Sequence, residues 1–312
     1  MTAAFPTYDT MIAALELVRA APLPLAVADA GERHVLEAAC AARRAGLIEP
    51  IFVGNPAAIE AFLRERGERD ARIVPAESEA DAAERSVDEV VSGRARALMK
   101  GHLHTDTFLH PILAALRTTQ RLSHVFVIEM QRYGKPLLLT DGAINVAPDL
   151  ATKAALIENV VAFAVTMGIA APKVALLSAV EIVKPTIPST LDAAALMEMA
   201  AGGAFAPAIL AGPLAFDCVL SREASAVKGL SGPVPGDADI VLVPEIVAGN
   251  AVAKALEYGA GAALAGIVLG ARVPVVLTSR ADSLQTRMHS VALAAYHHHR
   301  CGAGAERVES AR

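Results

Sequence analysis

A short apolar run near the end of the chain finishes in a dense set of reactive side chains: VPVVLTSRADS, residues 273–283. Thr278, Ser279 and Ser283 bring hydroxyls, Arg280 a forked cation and Asp282 a carboxylate. In open α/β sheets, ligands bind beyond the carboxyl ends of strands. The following LQTRMHSVALAAYHHHR sets Leu284, Met288, Val291 and Ala295 on one helical face, so Ser279–Ser283 reads as a strand-to-helix turn. Free backbone N–H groups there, with the helix dipole, suit an anion. A guanidinium grips phosphate or carboxylate through paired hydrogen bonds. Asp282 or Ser283 also fits a plain helix N-cap, but capping leaves the Ser-Arg pair unexplained.

A second stretch, MKGHLHTDTFLHP (99–111), follows a strand and supplies Lys100, His102, His104, Thr105, Asp106 and His110. Three readings compete. The groups line the mouth of the same site, or they hold a metal, or Thr105 or Asp106 caps the helix TFLHPILAALR. The i,i+2 histidine pair is a poor ligand pattern. His297, His298 and His299 point in successive directions around a helix and cannot share one ion; they read as a solvated helix end favoured by the dipole. In TDGAINVAPDLATK (140–153), Asp141-Gly142 signals a turn and Asp149 a helix cap, while Asn145 has no evident structural duty and so suits a polar site. In PGDADIVLVPEIVAGN (235–250), Asp237 and Asp239 flank a strand start, and Glu245 and Asn250 follow its carboxyl end. No G-x-G-x-x-G, G-x-x-x-x-G-K-[ST] or G-x-S-x-G is present. That disfavours the common nicotinamide, nucleotide-triphosphate and serine-hydrolase chemistries.

Positioning such groups requires a rigid scaffold. Apolar residues make up 54% of the 312, aromatics only 4%, with no Trp, so Ala, Val, Leu and Ile must form a core of helices close on a sheet. Strand-like runs at 23–30, 48–55, 124–130, 136–142 and 173–179, among others, alternate with helical stretches. This predicts an α/β fold with mostly parallel sheets. KPTIPST (184–190) and KGLSGPVPGD (228–237) read as loops of the kind that line clefts. A net charge of −5 argues against nucleic acid. Cys40, Cys218 and Cys301 read as reduced thiols. No apolar run has membrane-spanning length, and the amino terminus lacks the basic start of a secretory signal. The expectation is a cytoplasmic protein with no membrane partner.

Taken in order, LMKGHLHTDTFLHPIL, DGAINVAPDL, GDADIVLVPEIVAGN and GARVPVVLTSRADS resemble the phosphate acetyl/butyryltransferase family, closest to its phosphotransbutyrylase-like branch, over about residues 20–300. The resemblance implies reversible exchange of a short acyl group, acetyl to butyryl, between CoA and phosphate. It implies acyl-CoA, phosphate and acyl phosphate as ligands and no cofactor or metal beyond the CoA substrate. It also implies an isocitrate dehydrogenase-like fold of two α/β domains with an interdomain cleft, 1–121 plus 269–312 and an inserted 122–268, in a homodimer or larger homo-oligomer. The family's Ser-Arg pair falls on Ser279 and Arg280, and its hydroxyl residue on Thr105. Lys100, His104, His110, Asn145 and Asn250 are expected to bind substrate. The acetyltransferase branch has an arginine where this chain has His110. It has a proposed base, an aspartate, where this chain has Thr286; Asp282 is the nearest carboxylate. The alternatives are a metal-dependent dehydrogenase of related fold, using His102, His104 or Asp237 and Asp239, and a non-catalytic acyl-CoA-binding protein.

Overall fold

The alternating pattern builds α1 (Tyr8–Leu17), β1 (Leu23–Ala28), α2 (Arg33–Arg44), β2 (Ile48–Gly54), α3 (Pro56–Glu65), β3 (Arg72–Pro75), α4 (Glu79–Val91), β4 (Ala97–Lys100) and α5 (Thr105–Ala115). Next come β5 (Ser123–Glu129), β6 (Leu137–Thr140), α6 (Leu150–Thr166), β7 (Lys173–Leu177), α7 (Pro188–Ala201), β8 (Ile209–Leu214), α8 (Phe216–Leu220), α9 (Arg222–Val227), β9 (Ile240–Leu242) and α10 (Ile246–Lys254), which runs into a π-helical turn, Ala255–Gly259. β10 (Ala263–Leu269), β11 (Val275–Val276) and α11 (Leu284–Ser310) complete the chain. The structure, a computed structural model, describes residues 5–310, with side chains as far as Gly302. It divides into two units. The first holds Tyr8–Thr119 and the chain from Ala265 onward; the middle unit holds Gln120–Leu264 together with Phe5–Thr7.

In the first unit the strands lie in the order β3-β2-β1-β4-β11-β10. All neighbours are parallel except β10 and β11. The helices between strands supply apolar faces: in α2, Val35, Leu36, Ala38, Ala39, Cys40 and Ala42 are buried, and Glu32 caps the helix by accepting from the His34 and Val35 amides. The register pairs Ala28 with Lys100 and Met99 with Val276. The carboxyl ends of β1, β4 and β11 therefore lie side by side.

One contact fixes that line. The Gly101 amide donates to Ala28 O at 2.8 Å and the His102 amide to Asp29 O at 3.1 Å. A Cβ on Gly101 would sit 2.3 Å from both carbonyl oxygens, a distance no relaxed structure accommodates. Only glycine lets the segment after β4 lie against the end of β1.

The middle unit orders its strands β5-β6-β9-β7-β8, antiparallel only between β5 and β6. Its core gathers Ile128, Leu137, Leu139, Ala175, Val241 and Leu264. Asp149 caps α6 by accepting from the Thr152 amide at 2.8 Å. Phe5 belongs to this unit because its ring packs on Phe163, centroids 5.7 Å apart.

The sequence pattern misjudged several elements. VPVVLTS suggests a long strand, but β11 has two residues, since Pro274 precedes it and polar groups come after it. The end of KPTIPST is helix: Pro188 occupies the first turn of α7, where its missing N–H costs nothing. The periodicity did not disclose α1, α7 or β8. Leu284, expected on the buried face, is 50% exposed. The histidine trio is not a helix end, because α11 continues beyond it; burial, then the neighbouring His298, holds His297 down at about 4.

Gly101→Ala should lower unfolding stability by about 1–3 kcal/mol, read by urea titration; an unchanged midpoint would mean the contact is looser than described.

Candidate active site

Every polar group of the opening motif finds its place at the carboxyl ends of β4 and β11. After β11 the chain passes through Thr278, buried, then Ser279 and Arg280, both exposed, and turns into α11. Ser283 is the helix cap: its hydroxyl accepts from the Thr286 amide at 3.0 Å. Asp282 therefore does not cap the helix, contrary to the simplest reading. Its Oδ2 accepts from the Ser279 amide at 2.7 Å, closing the turn on itself. The turn's amides are less available than the sequence suggests. Ser279 N–H serves Asp282, Ala281 N–H reaches the Ser279 hydroxyl at 3.4 Å, and Asp282 N–H bonds Ser279 O. An anion at this turn must be held mainly by side chains.

Arg280 is the candidate holder. It is exposed, and among the described residues its guanidinium takes part in no hydrogen bond or ion pair. A second arginine, which sequence reasoning missed, shapes the turn from beneath. Arg287 of α11 is 2% exposed. Its Nη1 donates to Thr278 Oγ1 at 3.2 Å, and its Nη2 to the carbonyls of Ser279 at 3.0 Å and Arg280 at 3.1 Å. Burial lowers its pKa, against the attraction of Asp282 and Glu32. The available signal was its spacing: Arg287 precedes the buried Ser290 and Val291 by one helical turn.

Lys100 ends β4, flanked in the sheet by the ends of β1 and β11. It is 4% exposed, and among the described residues its Nζ makes one hydrogen bond, a long one of 3.3 Å to Gly101 O. Burial first, then the charges of Arg280 and Arg287, pulls its pKa down to about 8; Glu79 and Asp282 pull the other way. Asp29, also missed, stands just past β1 with φ of 53°. Burial raises its pKa, opposed by His102 and Lys100.

The amino end of α5 carries its own anion. His104 occupies the N-cap position without a capping side-chain bond, so neither Thr105 nor Asp106 caps the helix through its side chain in the expected way. Glu79 instead accepts from the His104 amide at 3.0 Å and pairs with its Nδ1 at 2.9 Å. These bonds lower the Glu79 pKa, with a further pull from Arg280. Thr105 is half-buried; His102, His104 and His110 are exposed.

The remaining expected residues stand in the middle unit. Asn145 has a structural duty after all: its Nδ2 donates to Asp141 Oδ2 at 2.7 Å and Leu122 O at 3.0 Å, and its Oδ1 accepts from Arg121 at 2.7 Å. Asp141 also takes the amides of His124, Ala143 and Ile144, so the DGAIN turn is a buried network. It meets the VAGN segment glycine to glycine: a Cβ on Gly249 would lie 2.9 Å from Gly142 Cα. Asn250 is exposed and donates to Gly142 O at 3.3 Å. Asp237 and Asp239 are engaged by Lys135, and Asp237 also by Lys173 and Arg222. His102 and His104 belong to the other unit. Glu181, Asp217 and Cys218 cluster within reach of one another, but the Lys228 ammonium lies against both carboxylates.

Residues 70–295, a span that includes Lys100, Thr105, Ser279, Arg280 and Arg287, match the model of one family, described as phosphate acetyl/butaryl transferase. The chain belongs to this family. It is 45% identical to a phosphate acetyltransferase of Rhizobium meliloti, over 92% of both chains. It is 42% identical to a phosphate butyryltransferase of Clostridium acetobutylicum, covering 87% of this chain and 92% of that one. Its fold resembles the crystal structure of a branched-chain phosphotransacylase from Enterococcus faecalis V583, with a TM-score of 0.77, 34% identity, and coverage of 89% of this chain and 99% of the other.

Within this family of acyltransferases, the buried cation is an expensive feature to keep. Lys100 has a depressed pKa in the fold, so it binds fewer protons folded than unfolded between about pH 8 and its ordinary value near 10.4. Stability attributable to it therefore rises with pH across that window and is lost as pH falls through 8. Lys100→Met should raise unfolding stability at pH 7 by about 1–3 kcal/mol and flatten the wild type's rise between pH 8 and 10. A less stable variant, measured by urea unfolding, would show that the ammonium is better solvated than its burial indicates.

Proposed function

We propose that Ser279, Arg280 and Thr105 carry the reversible acyl transfer between CoA and phosphate that family membership assigns to this enzyme. The observation that supports this most is Arg280: an exposed guanidinium, unpaired among the described residues, beside the Ser279 hydroxyl, held up by a buried second arginine. Phosphate and acyl phosphate are the anions such a fork fits.

In the direction that consumes acyl phosphate, the thiolate of CoA attacks the acyl carbon and phosphate departs. Arg280 holds the phosphate and neutralises its developing charge. Ser279 and Thr105 donate hydrogen bonds to phosphate or to the carbonyl oxygen. His104 and His110, exposed around the start of α5, contact substrate; in the middle unit Asn250 remains a substrate-binding candidate, and Asn145 contributes by fixing the turn it stands in. Much of the acceleration comes from holding two reactants in register. Asp282, committed to the Ser279 amide, acts as a positioning residue for the turn. The same geometry with no turnover would make the protein an acyl-CoA binder. We further propose a homodimer through the middle unit, where Ile182, Val183, Leu191, Met199 and Ile209 are exposed, and a cytoplasmic setting that keeps Cys40, Cys218 and Cys301 as free thiols. Among the described residues, no helix is long and apolar enough to cross a membrane.

Release of CoA from acetyl-, propionyl- and butyryl-CoA, followed with a thiol reagent, should require phosphate or arsenate; equal rates without either would refute the assignment. Each methylene should change kcat/KM by about 10–200-fold at most, so the series identifies the preferred chain. Arg280→Ala should raise the phosphate KM or lower kcat by about 10²–10³-fold; normal kinetics would remove Arg280 from the site. Light scattering should give twice the chain mass, and Ile209→Glu with Ile182→Glu should halve it; an unaltered mass would exclude that face.

A further inference from the structure

We propose that Lys100 is the proton carrier of this acyl transfer, taking the thiol proton of CoA and returning it to the departing phosphate. This deepens the proposed assignment of Ser279 and Arg280 and rests on it.

The reaction needs such a group. A thiol with a pKa near 8.5 is mostly protonated at neutral pH, and the carboxylates around the Ser-Arg pair are already engaged: Glu79 accepts from the His104 amide and pairs with its Nδ1. Asp282 is tied to the Ser279 amide. At position 286 stands Thr286, whose hydroxyl bonds Ser283 and whose amide the same serine accepts. Lys100 is different. It lies at the end of β4, its neighbours in the sheet being the ends of β1 and β11, so it shares the line of strand ends from which Ser279 and Arg280 emerge. It is nine-tenths buried, yet among the described residues its three possible donors find a single acceptor, the neighbouring Gly101 O at 3.3 Å. A buried ammonium with its hydrogen bonds unmade is disfavoured, which leaves the neutral amine, with a free lone pair, accessible. The charges facing it come from several elements. Arg280 and Arg287, from the turn and α11, oppose its protonation; Glu79 of α4 and Asp282 of the turn favour it, and Asp29 past β1 interacts with it electrostatically.

The step balances. The Nζ lone pair accepts the proton of the CoA S–H. The sulfur attacks the acyl carbon, an S–C bond forms, and the C–O bond to phosphate breaks with its electron pair on the phosphate oxygen. The Lys100 ammonium then gives its proton to that oxygen, leaving hydrogen phosphate, acyl-CoA and a neutral amine. The reverse reaction runs the same transfers backward.

The test compares three Lys100 variants of the full chain, and Arg280→Ala, with acetyl or butyryl phosphate and CoA, with melting temperatures taken first to establish folding. Lys100→Met and Lys100→Arg should both lower kcat by about 10²–10⁴-fold, with the phosphate KM in the reverse direction moved less than about threefold. Arginine keeps the charge but cannot exchange the proton. Lys100→Ala should regain turnover with added primary amines, with rescue tracking amine basicity. If Lys100→Arg retains wild-type kcat, or if the loss falls only on the phosphate KM, Lys100 is a fixed charge for the anion and the proposal is wrong. Amine rescue in Lys100→Ala, alongside an Arg280→Ala variant with unchanged phosphate KM, would sustain the proton role while overturning the anion assignment.

Discussion

The contact between Gly101 and the carbonyls of Ala28 and Asp29 governs the unit that carries Lys100, Ser279 and Arg280. Two backbone hydrogen bonds bring the segment after β4 against the end of β1, at a separation that excludes even a methyl group. From that anchor Lys100 is set at the end of β4, between the ends of β1 and β11, His104 is delivered to the start of α5, and Thr105 begins the helix. Arg287 does the corresponding work on the other side. Its three hydrogen bonds hold the chain from Thr278 to Arg280, so Arg280 projects outward from a turn braced by the protein's own side chains.

The electrostatics follow from this packing. Three cations, Lys100, Arg280 and Arg287, share a small region with Glu79, Asp282 and Asp29. Those acids are distributed unevenly: Glu79 is drawn to the amino end of α5 by the His104 amide, Asp282 to the Ser279 amide. Glu79 pairs with His104 rather than with Arg280 or Lys100. Backbone N–H groups thus absorb negative charge, leaving the Arg280 guanidinium exposed and, among the described residues, without an ion partner. Preorganised charge of this kind is the usual source of stabilisation for an oxygen that becomes more negative along a reaction.

Much of this was legible in the sequence. The alternation of apolar runs and amphipathic stretches yields the α/β class and most strands, because a strand buried on both faces must be continuously apolar. The strand-to-helix turn at Ser279–Ser283 could be placed from the helical spacing of Leu284, Met288, Val291 and Ala295. The features that stayed hidden depended on partners distant in sequence. Asn145 looked idle because Arg121, Leu122 and Asp141 meet only in the folded turn. Glu79 and Asp29 sit in stretches with no motif, and their importance comes from strand ends that adjoin in space. Asp282 and Ser283 were interchangeable as caps on paper, and only geometry assigns the cap to Ser283. The two-residue β11 was overestimated because buried loop and buried strand have the same composition.

The place of β11 in the first unit has a consequence for biosynthesis. It pairs with β4 on one side and β10 on the other, yet more than half the chain separates it from β4. On the ribosome, β4 emerges with Leu98 and Met99 on a strand edge whose partner has not yet been made. At ~5–20 residues per second that edge stays open for roughly ten to thirty-five seconds, while the middle unit is translated. Nascent chains in this interval present an unpaired apolar strand, and holding chaperones would have their best substrate there, before the turn that bears Ser279 and Arg280 exists.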